Sequence, residues 1–393
     1  MQPIAPEWGW WVALLVGVLE GVLVLGYLAW LVRPDPPAGG SPRRPMTWPP
    51  VDVIVPVRDE AEWIEGKLRN LEDLRYPADR LRVFVVDGAS SDGTADLVAA
   101  HIARDPRFSL VRFPVADKTA QLNAALRRGD APWVIVTDAD ARLPAEALEL
   151  MIATGEADRA VGVVGAPVIP AGSHALDALH WRLGNHLRQR EGRRGCASLV
   201  AGPCYAFRRD LLAAWPADVV ADDMHVTFTA MAKGCRVELI DVAVTELRSP
   251  RHLAELVRHK FRRAHAYLRE VFRFLPRLTT MTSAARAVFL WRAAHLTILP
   301  VLLLSTAGLS FAWLAGAMAS PAGRLAVGVA AGTGVVSCWG SCRARQAAAL
   351  AALGGLLAPT LVLALIAQPL WRQRASFAKV ATARRSPAGE ATR

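Results

Sequence analysis

Three acidic clusters sit where the sequence can do chemistry: Asp87, the pair Asp138-Ala-Asp140, and the adjacent Asp222-Asp223. A lone aspartate has an ordinary explanation as a helix cap or turn residue. The pair at 138 and 140 is harder to explain that way, because it follows the apolar run 133–137 at spacing i, i+2. A bend after a buried strand aims both carboxylates at one point. Two converging carboxylates suit a hard divalent cation, which can also hold phosphate oxygens. The sequence has no GxGxxG and no P-loop lysine motif, which argues against a dinucleotide or Walker-type site. It also lacks a Ser/His or Cys/His nucleophile pattern. The five cysteines (Cys196, Cys204, Cys235, Cys338, Cys342) are scattered without a CxxC pair and read as reduced thiols, with no structural zinc.

The elements that must position these acids read as alternating strands and helices. The run 51–56 ends at Pro56 and suits a buried parallel strand. Residues 60–74 place Trp63, Ile64, Leu68 and Leu71 at helical spacing. A second strand over 81–86 leads into Asp87-Gly-Ala-Ser-Ser-Asp-Gly93, with Asp92 as the N-cap of a helix reaching about 103. A strand over 108–113, a helix over 117–128 and a strand over 133–137 follow, and Asp222-Asp223 opens a helix over 224–233. This order predicts an α/β fold with a mostly parallel sheet. Ligands of such sheets bind at the carboxyl ends of the strands, where polar residues deserve the closest reading.

The chain of 393 residues carries 46 basic and 35 acidic residues, a formal charge of +11, with 53% hydrophobic and 21% charged residues. That balance excludes a disordered chain, a disulfide scaffold and a simple soluble domain. It points to a membrane protein with one α/β domain. Residues 1–33 read as an uncleaved anchor: 10–32 is an apolar run of 23 residues without Lys or Arg, flanked by Trp8, Trp10, Trp11 and Trp30. Arg33, Arg43 and Arg44 open the Pro/Gly-rich linker 34–50, which places the following domain in the cytoplasm of a cell whose inner membrane holds the protein. Glu20, mid-span, is either functional or simply packed against a neighbouring helix. About three further spans are expected in 287–371, from the stretches 296–318, 325–341 and 347–370. Four spans would put the basic tail 372–393 outside, against the positive-inside rule, unless one segment is re-entrant.

Six stretches occur in order within the α/β domain at 51–250: Val55-Pro-Val-Arg-Asp-Glu60, Val86-Asp-Gly-Ala-Ser-Ser-Asp-Gly-Thr94, Lys118-Thr-Ala-Gln-Leu-Asn123, Thr137-Asp-Ala-Asp140, Gly202-Pro-Cys-Tyr-Ala-Phe-Arg208 and Ala221-Asp-Asp223. Together they resemble the family 2 glycosyltransferases, whose nucleotide-sugar-binding domain is of GT-A type. The resemblance implies that Asp87 contacts the nucleobase, with Lys118 and Asn123 nearby and Pro56 and Glu60 on the donor side. It implies that Asp138 and Asp140 hold the diphosphate of a nucleotide-diphosphate sugar through Mg²⁺ or Mn²⁺, Asp140 more directly. Asp223 then matches the catalytic base, with Asp222 as its supporting neighbour. The chemistry agrees: charge builds on the leaving diphosphate, the acceptor hydroxyl must lose a proton, and one direct displacement inverts the anomeric centre.

Residues 251–286 carry Leu253, Leu256, Val257, Leu268, Val271, Phe272 and Leu275 at helical spacing among Arg258, Lys260, Arg262, Arg263 and Arg269. One reading is a basic amphipathic helix lying on an anionic leaflet. The other comes from the resemblance: His259-Lys-Phe-Arg262-Arg263 fits the family's Gln/Arg/His-x-x-Arg-Trp motif beside the diphosphate, with Arg in place of Trp. The expected function is a membrane-bound inverting glycosyltransferase acting on a lipid-linked or membrane-proximal acceptor in cell-envelope synthesis. A processive polysaccharide synthase, a membrane-anchored nucleotidyltransferase and a nucleotide-binding membrane module are the alternatives. Nucleic acid is not an expected partner, because the basic residues concentrate beside the apolar segments.

Overall fold

The computed structural model describes residues 8–33 and 45–318. The expected spans at 325–341 and 347–370, the basic tail and most of the linker lie outside the described residues.

The elements run in the order α1 (Trp8–Val32), β1 (Val51–Val57), α2 (Ala61–Glu72), β2 (Leu81–Gly88), α3 (Thr94–Ile102), β3 (Phe108–Phe113), α4 (Lys118–Leu126), β4 (Trp133–Thr137) and β5 (Ala141–Arg142). Then come α5 (Ala147–Ala157), β6 (Val161–Gly165), β7 (Val168–Pro170), α6 (Ala175–Arg193), β8 (Cys204–Arg208), α7 (Asp222–Ala232), β9 (Arg236–Leu239), β10 (Val244–Glu246), α8 (Leu253–Phe274), α9 (Ser283–Leu296) and α10 (Ile298–Met318). Seven strands form the main sheet in the order β3-β2-β1-β4-β8-β6-β9, with β5-β10-β7 as a second, small sheet. Every pairing in the main sheet is parallel except those of β8, which runs antiparallel to both β4 and β6. This is a GT-A-like α/β fold, mostly parallel as expected.

The central strands are apolar on both faces, and alternate residues serve different cores. Val53, Val55 and Ile135 pack with Ile64, Leu68 and Leu71 of α2 and with Leu148 and Met151 of α5. Ile54, Val134 and Val136 face the other way, onto Leu122 of α4 and Met224 and Phe228 of α7. With helices on both faces, the site for a ligand of such a sheet is the carboxyl edge of its parallel strands.

One local expectation is corrected. Gly93, not Asp92, caps α3, in the left-handed region at φ 88°. Asp92 instead accepts from the backbone N–H groups of Thr94 (3.0 Å) and of Ala61 (2.9 Å), the latter at the start of α2. Its carboxylate therefore ties two helix starts together. Helix α8 forms as predicted, with Leu256, Leu268, Val271 and Phe274 buried against the protein. Only Leu253, Val257, Phe272 and Leu275 of its apolar set are left exposed.

Among the described residues no single helix is long and apolar enough to cross a membrane, and the apolar part of α1, Leu15–Leu31, falls short. Ser283–Leu296 and Ile298–Thr306 meet that test only as a pair bent by 44°. Helix α1 is docked on the rest of the chain through specific groups. Tyr27 stacks on Trp291 at 4.0 Å between ring centroids, and its hydroxyl donates to Glu191. Glu20 accepts from the Thr306 hydroxyl at 2.9 Å, the packed alternative of the two readings for this residue.

Candidate active site

The carboxyl edges of β1 and β4, the start of α7, the end of β10 and one face of α8 enclose a cavity of about 210 Å³. Its lining includes Pro56, Glu60, Lys118, Asp138, Asp140, Asp222, Asp223, His259 and Arg262, nine of the eleven residues that the sequence singled out. The exceptions are Asp87 and Asn123.

Asp138 and Asp140 sit on the turn between β4 and β5, closed by Ala141 N donating to Asp138 O at 3.2 Å. Asp138 accepts from Lys118 Nζ at 3.0 Å. Burial, then the charges of Asp138 and Glu60, push the Asp140 carboxyl up to about 6. Arg248 pairs with both oxygens of Glu60 and brings Nε to 3.9 Å from Asp140. So much negative charge in a closed space favours a cation. The two carboxylates fit a divalent ion as a partial shell. Among the described residues no third His, Cys, Asp or Glu joins them, which leaves the remaining positions to phosphate oxygens and water.

Asp222 and Asp223 open α7, where the helix dipole favours carboxylates, yet their surroundings separate them. Asp222 is fully engaged: it accepts from Tyr205 Oη at 2.7 Å and pairs with Lys118 Nζ at 3.2 Å. Among the described residues Asp223 uses only Oδ1, which accepts from Met224 N at 2.8 Å, while Oδ2 lies beside Gly202, a Cβ on which would stand 3.4 Å away. Burial, then the Asp222 charge, push Asp223 up to about 6. A carboxyl so poised, with one oxygen uncommitted, suits a base working near neutral pH.

Lys118 lies at the centre of the cavity's acidic wall. Its ammonium spans Asp138 and Asp222 and so joins the Asp138/Asp140 pair to the α7 acids. Burial opposes its charge, but the two aspartates outweigh burial and hold it protonated. Asn123 lies outside the cavity lining. Its amide exchanges hydrogen bonds with the backbone O and N of Trp215, both at 2.8 Å, and so fastens α4 to a distant loop. Asp87 lies outside the cavity lining, at the end of β2 beside Val57. Its Oδ2 accepts from Ser90 N at 3.3 Å, and its buried Oδ1 has no partner among the described residues. The next but one residue, Ala89, holds φ 58°, an uncommon conformation for a residue with a Cβ.

On the opposite wall, His259, Arg262, Arg263 and Tyr267 of α8 face the acids. Burial and the neighbouring Arg263 and Arg262 keep His259 neutral. Arg263, in the place of the motif's Trp, lies 5.8 Å from the ring of Trp181 on α6. The sequence reading missed Arg248, Glu246 and Tyr267. Glu246 ends, and Arg248 follows, a three-residue strand too short to announce itself by pattern.

Residues 52–215 match the family model for "Glycosyl transferase family 2", and the chain carries a family 2 glycosyltransferase domain. An N-acetylglucosaminyltransferase of Mesorhizobium japonicum is 30% identical over 258 residues, covering 60% of each chain. One of Rhizobium meliloti is 29% identical over 62% of this chain and 61% of its own. The chain thus spans about three fifths of these relatives. The mannosyltransferase PcManGT from Pyrobaculum calidifontis, solved with GDP-Man and Mn²⁺, superposes with a TM-score of 0.71 at 27% identity, over 92% of this chain and 99% of its own.

Proposed function

We propose that the protein is a divalent-cation-dependent inverting glycosyltransferase that moves a sugar from a nucleotide-diphosphate sugar to a membrane-associated acceptor. One observation carries the reading: the Asp138/Asp140 pair and the half-committed Asp223 share one cavity, facing the cationic side of α8. Asp138 and Asp140 would hold the cation, which supplies charge neutralisation to the departing diphosphate. Arg262 would meet the same phosphates from the far wall, and His259, being neutral, would add a hydrogen bond. Asp223 takes the acceptor proton through Oδ2, while Lys118 and Tyr205 keep Asp222 in place beneath it. The orphaned Asp87 Oδ1 suits an N–H of the nucleobase. The names of the relatives favour an N-acetylglucosaminyl donor, and that of the structural neighbour a mannosyl donor.

Attachment to the inner membrane, with the catalytic domain cytoplasmic, belongs to the same proposal. Exposed Val18, Val22, Leu25, Ile298 and Val301 on α1 and α10 support it, as do the exposed apolar residues of α8. A lipid-linked or membrane-proximal acceptor would then reach the cavity beside α8. The test incubates the full chain in membranes with labelled UDP-N-acetylglucosamine or GDP-mannose and Mn²⁺. The proposal expects label in a lipid-extractable product with one donor, abolished by chelator. Release of pyrophosphate, or transfer that ignores the chelator, would overturn it.

A further inference from the structure

The mechanism makes no use of the most deeply buried cation near the site. Lys67, on the apolar side of α2 between Ile64 and Leu68, is 0% exposed. Its ammonium donates to Thr137 Oγ1 at 2.7 Å and to Ala141 O at 2.9 Å. Neither acceptor is charged, and among the described residues no carboxylate forms a salt bridge with it. Burying an ammonium on neutral acceptors is costly, and an apolar side chain of similar length would avoid the cost. Burial accordingly drives its pKa down to about 7.

The position of the two acceptors gives the lysine its purpose. Thr137 is the last residue of β4 and Ala141 the first of β5, so the ammonium bridges both ends of the turn that carries Asp138 and Asp140. The Thr137 hydroxyl passes the restraint on to Pro203 O at 2.8 Å, which also accepts from Asp138 N at 3.2 Å. One helical turn along, Asn70 grips the exit of the same segment by exchanging hydrogen bonds with Leu143 O (2.7 Å) and N (2.8 Å). Helix α2 thus holds the acidic turn from behind at three backbone or side-chain points.

We infer that Lys67 is a positioning residue that preorganises the Asp138/Asp140 pair for its divalent cation, at a cost to stability. The inference rests on the proposed role of that pair. Ligands held convergent before the ion arrives bind it more tightly than ligands that must first be ordered. The test measures Mn²⁺ binding by electron paramagnetic resonance, with UDP present, alongside thermal unfolding of the cation-free protein. Lys67→Met should bind Mn²⁺ at least tenfold more weakly than the parent while unfolding at the same temperature or higher. Thr137→Val should weaken binding less, and Thr137→Ser should restore it. If Lys67→Met fails to fold, the Thr137 pair decides alone. Parent-like or tighter Mn²⁺ binding by Lys67→Met, or by Thr137→Val where only that variant folds, would overturn the inference. A parent that binds no Mn²⁺, with Asp140→Asn indistinguishable from it, would defeat the cation assignment itself.

Discussion

The two walls of the cavity are built on different principles. The strand-end wall is acidic, and its groups are fixed by short bonds to fixed partners: Lys118 on Asp138, Tyr205 on Asp222, Met224 N on Asp223. The α8 wall is cationic and comes from one helix, with Arg262 left exposed at the mouth of the cavity. No salt bridge joins Arg262 or Arg263 to a carboxylate among the described residues. The contrast separates rigid groups that must be aimed at reacting atoms from cations that need only meet a diffuse phosphate charge. It also assigns different kinetic consequences to the two walls.

Loss of the base should have the largest effect. Asp223→Asn should cut kcat by on the order of 10²–10⁴-fold while donor affinity changes little, because the base touches the acceptor. The base works deprotonated and its carboxyl sits near 6. Parent kcat/KM should therefore fall about tenfold per unit as pH drops below about 6. A joint loss of donor binding and turnover in Asp223→Asn would erase the distinction within the acidic wall. Asp140→Asn comes next, at roughly 10²–10³-fold in kcat/KM with a raised Mn²⁺ requirement, read from activity against metal concentration.

On the other wall, Arg262→Gln should weaken donor binding by about 1.5–3 kcal/mol, the usual worth of a charged hydrogen bond, and appear mainly in KM. An effect confined to kcat would mean that the α8 wall is aimed as sharply as the acidic one. Asn123→Ala should change donor KM least. Losing its two bonds to Trp215 should instead lower unfolding stability by about 1–3 kcal/mol, measured by denaturant titration.

The same contrast explains what could be read from the chain. Strands over 108–113 and 133–137 were legible to the residue: the second is a fully buried, continuous apolar run, and the first, at the sheet edge, keeps Phe108 and Val111 buried between turns. The acids were legible because they follow such runs. The bond of Asn123 to Trp215 was not legible, since its partner lies 92 residues away and no local pattern encodes that distance. The antiparallel course of β8 and the two- and three-residue strands of the small sheet were invisible for the same reason. Helix α8 was legible as a helix, but its amphipathic pattern could not say which apolar residues meet protein and which do not. Lys67 did leave a trace, a cation on an apolar helix face, although its acceptors stand 70 and 74 residues on.

The central claim is one direct displacement, with Asp223 as the only proton acceptor and no covalent intermediate. Proton NMR of the first product formed from an α-linked donor tests it most directly, through the coupling constant of the new anomeric proton. The account predicts a β-linked product from the parent; a product that retains the α configuration would contradict it.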